Sequence, residues 1–135
     1  KKISILVFAF KANTNDTRES AAIKICKDLL EEGAILRIHD PKVTQDQISN
    51  DLNRKSKNTD EEGTWYMFDN LYDSINGSDA ILLLTEWQEY TQINWQKVSK
   101  IVRNPLWVFD SRSIVDSEKV KKAGLNLWRI GDGIN

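Results

Sequence analysis

The sequence predicts a doubly wound α/β domain, a mainly parallel sheet of five or six strands with helices on both faces. Two observations carry this. Five short apolar runs recur along the chain: Ile3–Phe10, Ala34–His39, Ala80–Leu84, Leu106–Phe109 and Leu125–Ile130. Runs such as Ile81-Leu82-Leu83-Leu84 do not alternate, which is how strands buried on both faces read. Helical patterns lie between the runs, and strand–helix–strand order gives parallel strands joined by right-handed crossovers.

The elements follow in order. The first run leads into a polar stretch and then a helix from Arg18 to Glu32, with Ala22, Ile25, Cys26, Leu29 and Leu30 as its apolar stripe. Asp16 and Glu19 fit a capping-box start, and Gly33 fits a stop just past the end. The second run ends in His39-Asp40-Pro41. The segment 42–78 breaks the rhythm: it is polar, reads as a peripheral insertion, and regains apolar character at Trp65-Tyr66-Met67-Phe68, with a short helix expected from Asp69 to Ile75. After the third run a helix starts near Asn94, carries Val98, Ile101 and Val102, and stops at Asn104-Pro105. A last short helix is expected from Ser117 to Ala123, ended by Gly124. Trp95, Trp107 and Trp128 fall inside regular elements and are expected in the core.

At 135 residues the chain has the length of a single domain, 1–135, and can bury about two-thirds of its unfolded surface. Its net charge is −1, with Lys and Arg spread along the chain. A nucleic-acid partner would require a dense basic face. One cysteine, Cys26, excludes an intrachain disulfide, and one histidine, His39, leaves too few ligands for a Cys/His zinc site. A lone cysteine suits a reducing, cytoplasmic setting. No apolar run approaches the ~20 residues of a membrane span. The chain opens directly on a strand pattern, with no secretory signal, and so reads as one domain cut from a longer protein.

Ligands of open α/β sheets bind outside the carboxyl ends of the strands. The polar residues cluster at those ends: Phe10 to Ser20 after the first run, His39-Asp40, Thr85-Glu86-Trp87, and Asp110-Ser111-Arg112. The first loop has no Gly-x-Gly-x-x-Gly, and the chain has no Gly-x-x-x-x-Gly-Lys-[Ser/Thr]. It offers instead Lys11, Arg18, hydroxyls and the start of a helix, groups that suit a phosphate. The residues alone leave open whether Lys11 and Arg18 are phosphate ligands or solvated cations. Thr85-Glu86-Trp87 either lines the crevice or locks the loop. Cys26, on an apolar stripe, reads as a small hydrophobe. His39 and Asp40 read as structural, and Asp16 as a helix cap.

The run Ile5-Leu6-Val7-Phe8-Ala9-Phe10-Lys11, then Thr14, Asp16, Arg18, Glu19 and Ser20, is similar to the opening of the C-terminal domain of UDP-glucose dehydrogenases. Asp40-Pro41, Thr85-Glu86-Trp87, and Phe109-Asp110 with Arg112 follow in family order. The resemblance covers essentially the whole chain. It implies a parent enzyme that oxidises UDP-glucose to UDP-glucuronate with two NAD⁺. It places the UDP-sugar at Phe10, Lys11 and Arg112. It sets Arg18 toward NAD, a cofactor held mainly by an N-terminal domain that also carries the catalytic cysteine, lysine and acidic groups. No catalytic or metal-binding residue is therefore expected in this chain, and the domain alone is expected to be inactive. The parent is expected to be a homo-oligomer and the isolated domain a monomer. Related readings are a domain of a GDP-mannose or UDP-N-acetylhexosamine dehydrogenase, and a stand-alone nucleotide-binding module. The sequence departs from the family pattern at Val7 and Ser111, where glycine is usual.

Overall fold

The computed structural model describes residues 1–7, 21–57, 61–84, 88–111 and 113–129. Six strands form one sheet: β1 (Lys2–Leu6), β2 (Ile35–His39), β3 (Trp65–Met67), β4 (Ala80–Leu83), β5 (Trp107–Asp110) and β6 (Asn126–Arg129). Their order is β3-β2-β1-β4-β5-β6, and every pairing is parallel. The helices are α1 (Ala21–Glu31), α2 (Gln45–Leu52), α3 (Leu71–Ile75), α4 (Trp95–Ile101) and α5 (Ser117–Lys122), with a 3₁₀ turn at Gln88–Gln92.

The sheet grows outward from β1 in both directions, and right-handed crossovers then place the helices of the two halves on opposite faces. On one face α1 and α2 cover β1, β2 and β3. There Ile5, Val7, Leu36, Ile38 and Trp65 pack with Ala22, Ile23, Cys26, Leu30, Ile48 and Leu52. On the other face α3, α4 and α5 cover Leu6, Ile81, Leu83 and Val108 through Leu71, Ile75, Trp95, Val98 and Val120. Each fully buried Leu or Ile contributes roughly 1.5–3 kcal/mol of transfer free energy, so these two clusters are the main source of stability.

Helix ends follow local chemistry. Thr44, Asn70, Asn94 and Asp116 cap α2, α3, α4 and α5, each side chain accepting from a backbone N–H one turn on. Gly33 and Gly124 end α1 and α5 at φ 89° and 81°, left-handed positions where a side chain is strained. The buried stripe of α1 is Ala22, Ile23, Cys26 and Leu30, while Ile25 and Leu29 are only half buried. The stripe is thus rotated slightly from the one expected. The expected start near Arg18 and the cap at Asp16 with Glu19 lie outside the described residues.

Two expectations change. The segment 42–78 lies at the sheet's edge, in keeping with a peripheral insertion, but it is built into the sheet. It supplies α2, the edge strand β3, which pairs Leu36 with Trp65, and α3. Trp65 has no exposed surface and its indole donates to Arg54 O at 2.8 Å. Its polar composition reflects α2, whose outer face is solvated, and a three-residue strand too short to show periodicity. The second change concerns tryptophan. Trp95 is core at 3% exposure, but Trp107 and Trp128 are 44% exposed. They lie in a ladder with Phe109, at ring separations of 6.1 and 6.2 Å. Phe109 pairs in register with Leu82 and Trp128. All three rings lie on the face opposite α4 and α5, the face that α1 and α2 cover over β1, β2 and β3.

Candidate ligand crevice at the carboxyl ends of the strands

Strand order reverses between β1 and β4, so the ligand crevice of this architecture opens outside their carboxyl ends. The residues there are held by the ladder itself. Val7 N donates to His39 O at 3.1 Å, Leu84 N to Leu6 O at 3.0 Å, and Ser111 N to Leu83 O at 3.2 Å.

Beneath the crevice, Tyr90 projects its hydroxyl into the ends of β1 and β2. The oxygen lies 2.7 Å from Val7 O, 3.0 Å from His39 O and 3.2 Å from His39 Nδ1. Tyr90 has no exposed surface and His39 is 3% exposed. Burial, with the charges of Asp40 and Glu89, pushes the Tyr90 hydroxyl far up, so it stays protonated and donates. Burial also lowers the His39 pKa, against the opposing pull of Glu89 and of Asp69, to whose backbone the ring is hydrogen-bonded. His39 is therefore the structural residue expected from the sequence.

Asp40 stands where dinucleotide-binding folds place a ribose-binding acid. It is 3% exposed, and its Oδ1 accepts from Lys42 N at 3.0 Å. The carboxylate caps its own turn. Together with the missing glycine fingerprint, this does not fit NAD held by this domain in the manner of a dinucleotide fold. A hollow of about 240 Å³ beside His39 is lined by Asp69, Asn70 and Glu89, and its two carboxylates repel a phosphate.

At the end of β5, Asp110 has no exposed surface. Its Oδ2 accepts from Val115 N at 2.9 Å and lies 4.0 Å from Arg129 Nε. Arg129 also donates from Nη2 to Ser113 O at 3.4 Å. Ser111 Oγ donates to Leu83 O at 2.8 Å. The positive φ in this turn falls at Ser113, at 58°, and not at Ser111. A glycine is therefore not required at 111 by backbone conformation. Val7, the other departure, directly follows β1 and is fully buried in the α1–α2 face.

The expected ligand residues Phe10, Lys11, Arg18 and Arg112 lie outside the described residues, as do Thr85, Glu86 and Trp87. The described residues build the frame around them: Val7 before the first loop, Leu84 before the second, and Ser111 and Ser113 on either side of Arg112. Tyr90 and its bond to the ends of β1 and β2 have no counterpart in the sequence reading. Cys26 is fully buried, and burial raises its thiol to about 12, so it is no nucleophile at neutral pH. Among the described residues no group of three or more His, Cys, Asp or Glu could hold a metal ion, and no helix is long and apolar enough to cross a membrane.

The strand order and the polar strand ends define a Rossmann-like α/β domain of the nucleotide-binding class. The chain belongs to the UDP-glucose/GDP-mannose dehydrogenase family, whose UDP binding domain matches residues 4–117. It is 39% identical to the UDP-glucose 6-dehydrogenase of Drosophila melanogaster over 134 residues, covering 97% of this chain and 28% of that enzyme. It is 40% identical to that of Caenorhabditis elegans over 131 residues, covering 97% and 27%. The chain thus spans less than a third of the curated relatives it matches. Among solved structures, the UDP-D-ManNAc dehydrogenase of Pyrococcus horikoshii is 26% identical with a TM-score of 0.65, over 97% of this chain and 25% of that one. A UDP-glucose dehydrogenase of Pyrobaculum islandicum, at 20% identity and a TM-score of 0.62 over 95% and 24%, shares the fold.

Proposed function

We propose that this chain is the UDP-sugar-binding domain of an NAD-dependent UDP-glucose 6-dehydrogenase. The observation that carries this is the 39–40% identity to two such enzymes over 97% of the chain. Lys11 and Arg112 are the cations for the diphosphate, with Phe10 beside the sugar nucleotide. Arg18 faces the cofactor, which binds mainly to the N-terminal part of the longer enzyme. NAD⁺ supplies the hydride acceptor there. This domain's part is to bind and orient UDP-glucose so that its C6 hydroxymethyl group meets catalytic groups from elsewhere in the enzyme. The parent acts in the cytoplasm as a homo-oligomer.

Magnitudes limit the isolated domain. A charge-assisted hydrogen bond contributes roughly 1.5–3 kcal/mol, so two or three give about 5–8 kcal/mol before association entropy is subtracted. Micromolar affinity requires about 8 kcal/mol net. The domain alone therefore binds UDP-glucose weakly, at about millimolar Kd or above, and produces no NADH. NMR titration with UDP-glucose, UDP-N-acetylhexosamine and GDP-mannose tests the assignment. UDP-glucose is expected to shift amides at the strand ends at the lowest concentration. A preference for GDP-mannose sinks the assignment, and a preference for the N-acetylated sugar moves it to the activity named for the Pyrococcus horikoshii relative. Robust NADH production by the isolated domain contradicts the division of labour.

A further inference from the structure

We propose that Tyr90 is a positioning residue for the UDP-sugar, acting through the main chain at the ends of β1 and β2; this rests on the UDP-sugar reading above. The argument begins with the count of hydrogens. A tyrosine hydroxyl has one proton and two acceptor lone pairs. Val7 O, at 2.7 Å, is its nearest acceptor, with His39 O at 3.0 Å beside it. His39 Nδ1 lies 3.2 Å from the same oxygen, and the imidazole tautomer sets the direction of that contact. One buried oxygen thus joins the last carbonyls of two neighbouring strands and the ring of the residue that ends β2.

The place of this contact separates it from ordinary core bonding. Val7 is the residue from which the chain runs on toward Phe10 and Lys11. Tyr90 lies in the connection that leaves β4, three residues after Trp87. The bond therefore ties the exit of β1 to the exit of β4, the two strands on either side of the switch point where the ligand crevice opens. The phenyl ring is fully buried against the α3–α4 cluster, so packing anchors Tyr90 independently of its hydroxyl. A displacement of a ligand-holding main chain of order 1 Å is sufficient to weaken binding strongly.

The test is Tyr90→Phe in the full-length dehydrogenase that carries this domain. The ring and its packing remain, and only the oxygen is lost. The expected result is a rise of about fivefold or more in KM for UDP-glucose, corresponding to one hydrogen bond, with a smaller change in kcat and in KM for NAD⁺. A purely structural hydroxyl would lower the thermal midpoint and leave KM for UDP-glucose unchanged, and that result overturns the proposal. If Tyr90→Phe does not fold, His39→Gln removes the ring nitrogen's contact and keeps the bond to Val7 O. A smaller rise in the same KM supports the role, and an unchanged KM overturns it. A wild-type enzyme that ignores UDP-glucose and turns over another sugar nucleotide refutes the functional assignment instead, and is recognised before any variant is made.

Discussion

Arg129 Nε on β6 lies 4.0 Å from Asp110 Oδ2 on β5, and the two residues are direct partners in the strand register. The carboxylate is fully buried and the guanidinium side chain one-fifth exposed. The same carboxylate oxygen accepts from Val115 N, and Arg129 donates onward to Ser113 O. The pair therefore ties together Asp110, Ser113 and Val115, which flank position 112. Asp110→Ala removes the acceptor of a buried N–H and the partner of a mostly buried cation, and is expected to cost about 3–5 kcal/mol. Asp110→Asn keeps an acceptor for Val115 and is expected to cost less. Urea denaturation of the three proteins measures the difference.

His39 links stability to pH. Burial holds its folded-state pKa below the ordinary value of 6.5, to which it returns on unfolding. Between the two values the unfolded chain binds more protons, so stability rises with pH across that window. The contribution of neutral His39 is fully present above pH 6.5 and is lost as pH falls toward the folded-state value. In a series of denaturation midpoints, the difference between wild type and His39→Gln should change with pH below 6.5 and be level above it. A difference that is level throughout contradicts the assignment.

The four described tryptophans divide by the coverage of the sheet. Trp65→Ala and Trp95→Ala empty core sites and are expected to cost about 3–5 kcal/mol each. Trp107→Thr and Trp128→Thr act on rings that are 44% exposed. They are expected to stay within about 1 kcal/mol of wild type. Thermal or urea unfolding of the four variants distinguishes the two groups.

Lys11→Ala and Arg112→Ala test the proposed phosphate contacts. Each is expected to weaken UDP-glucose binding by roughly 1.5–3 kcal/mol, about ten- to a hundredfold in Kd. Circular dichroism should remain unchanged for Lys11→Ala. Calorimetric titration of the full-length enzyme with UDP-glucose gives the Kd values, and unchanged affinity in both variants excludes these two cations as ligands.

Much of the frame was legible because its signals are local. Non-alternating apolar runs marked five of the six strands, the stripe around Cys26 marked α1, and Gly33 and Gly124 marked helix ends that adopt positive φ. The order of motifs from Ile5 to Arg112 carried the family. β3 escaped because three residues in a polar segment show no period. The departure at 111 was visible as a letter, but only the structure shows Ser111 Oγ bonded to Leu83 O and a positive φ at Ser113.

The sequence by itself determined the element types, the parallel class of the sheet and the family, since all three rest on patterns within a few residues or on motifs in order. The tertiary structure decided which faces are covered and which distant residues meet. Crossover handedness places α4 and α5 opposite the Trp107–Phe109–Trp128 ladder, so two tryptophans that read as core are exposed. Tyr90 and His39 are 51 positions apart, and Tyr90 and Val7 are 83 apart. No local periodicity encodes such contacts, because they arise only when the ends of β1, β2 and the connection after β4 are brought to one edge of the sheet.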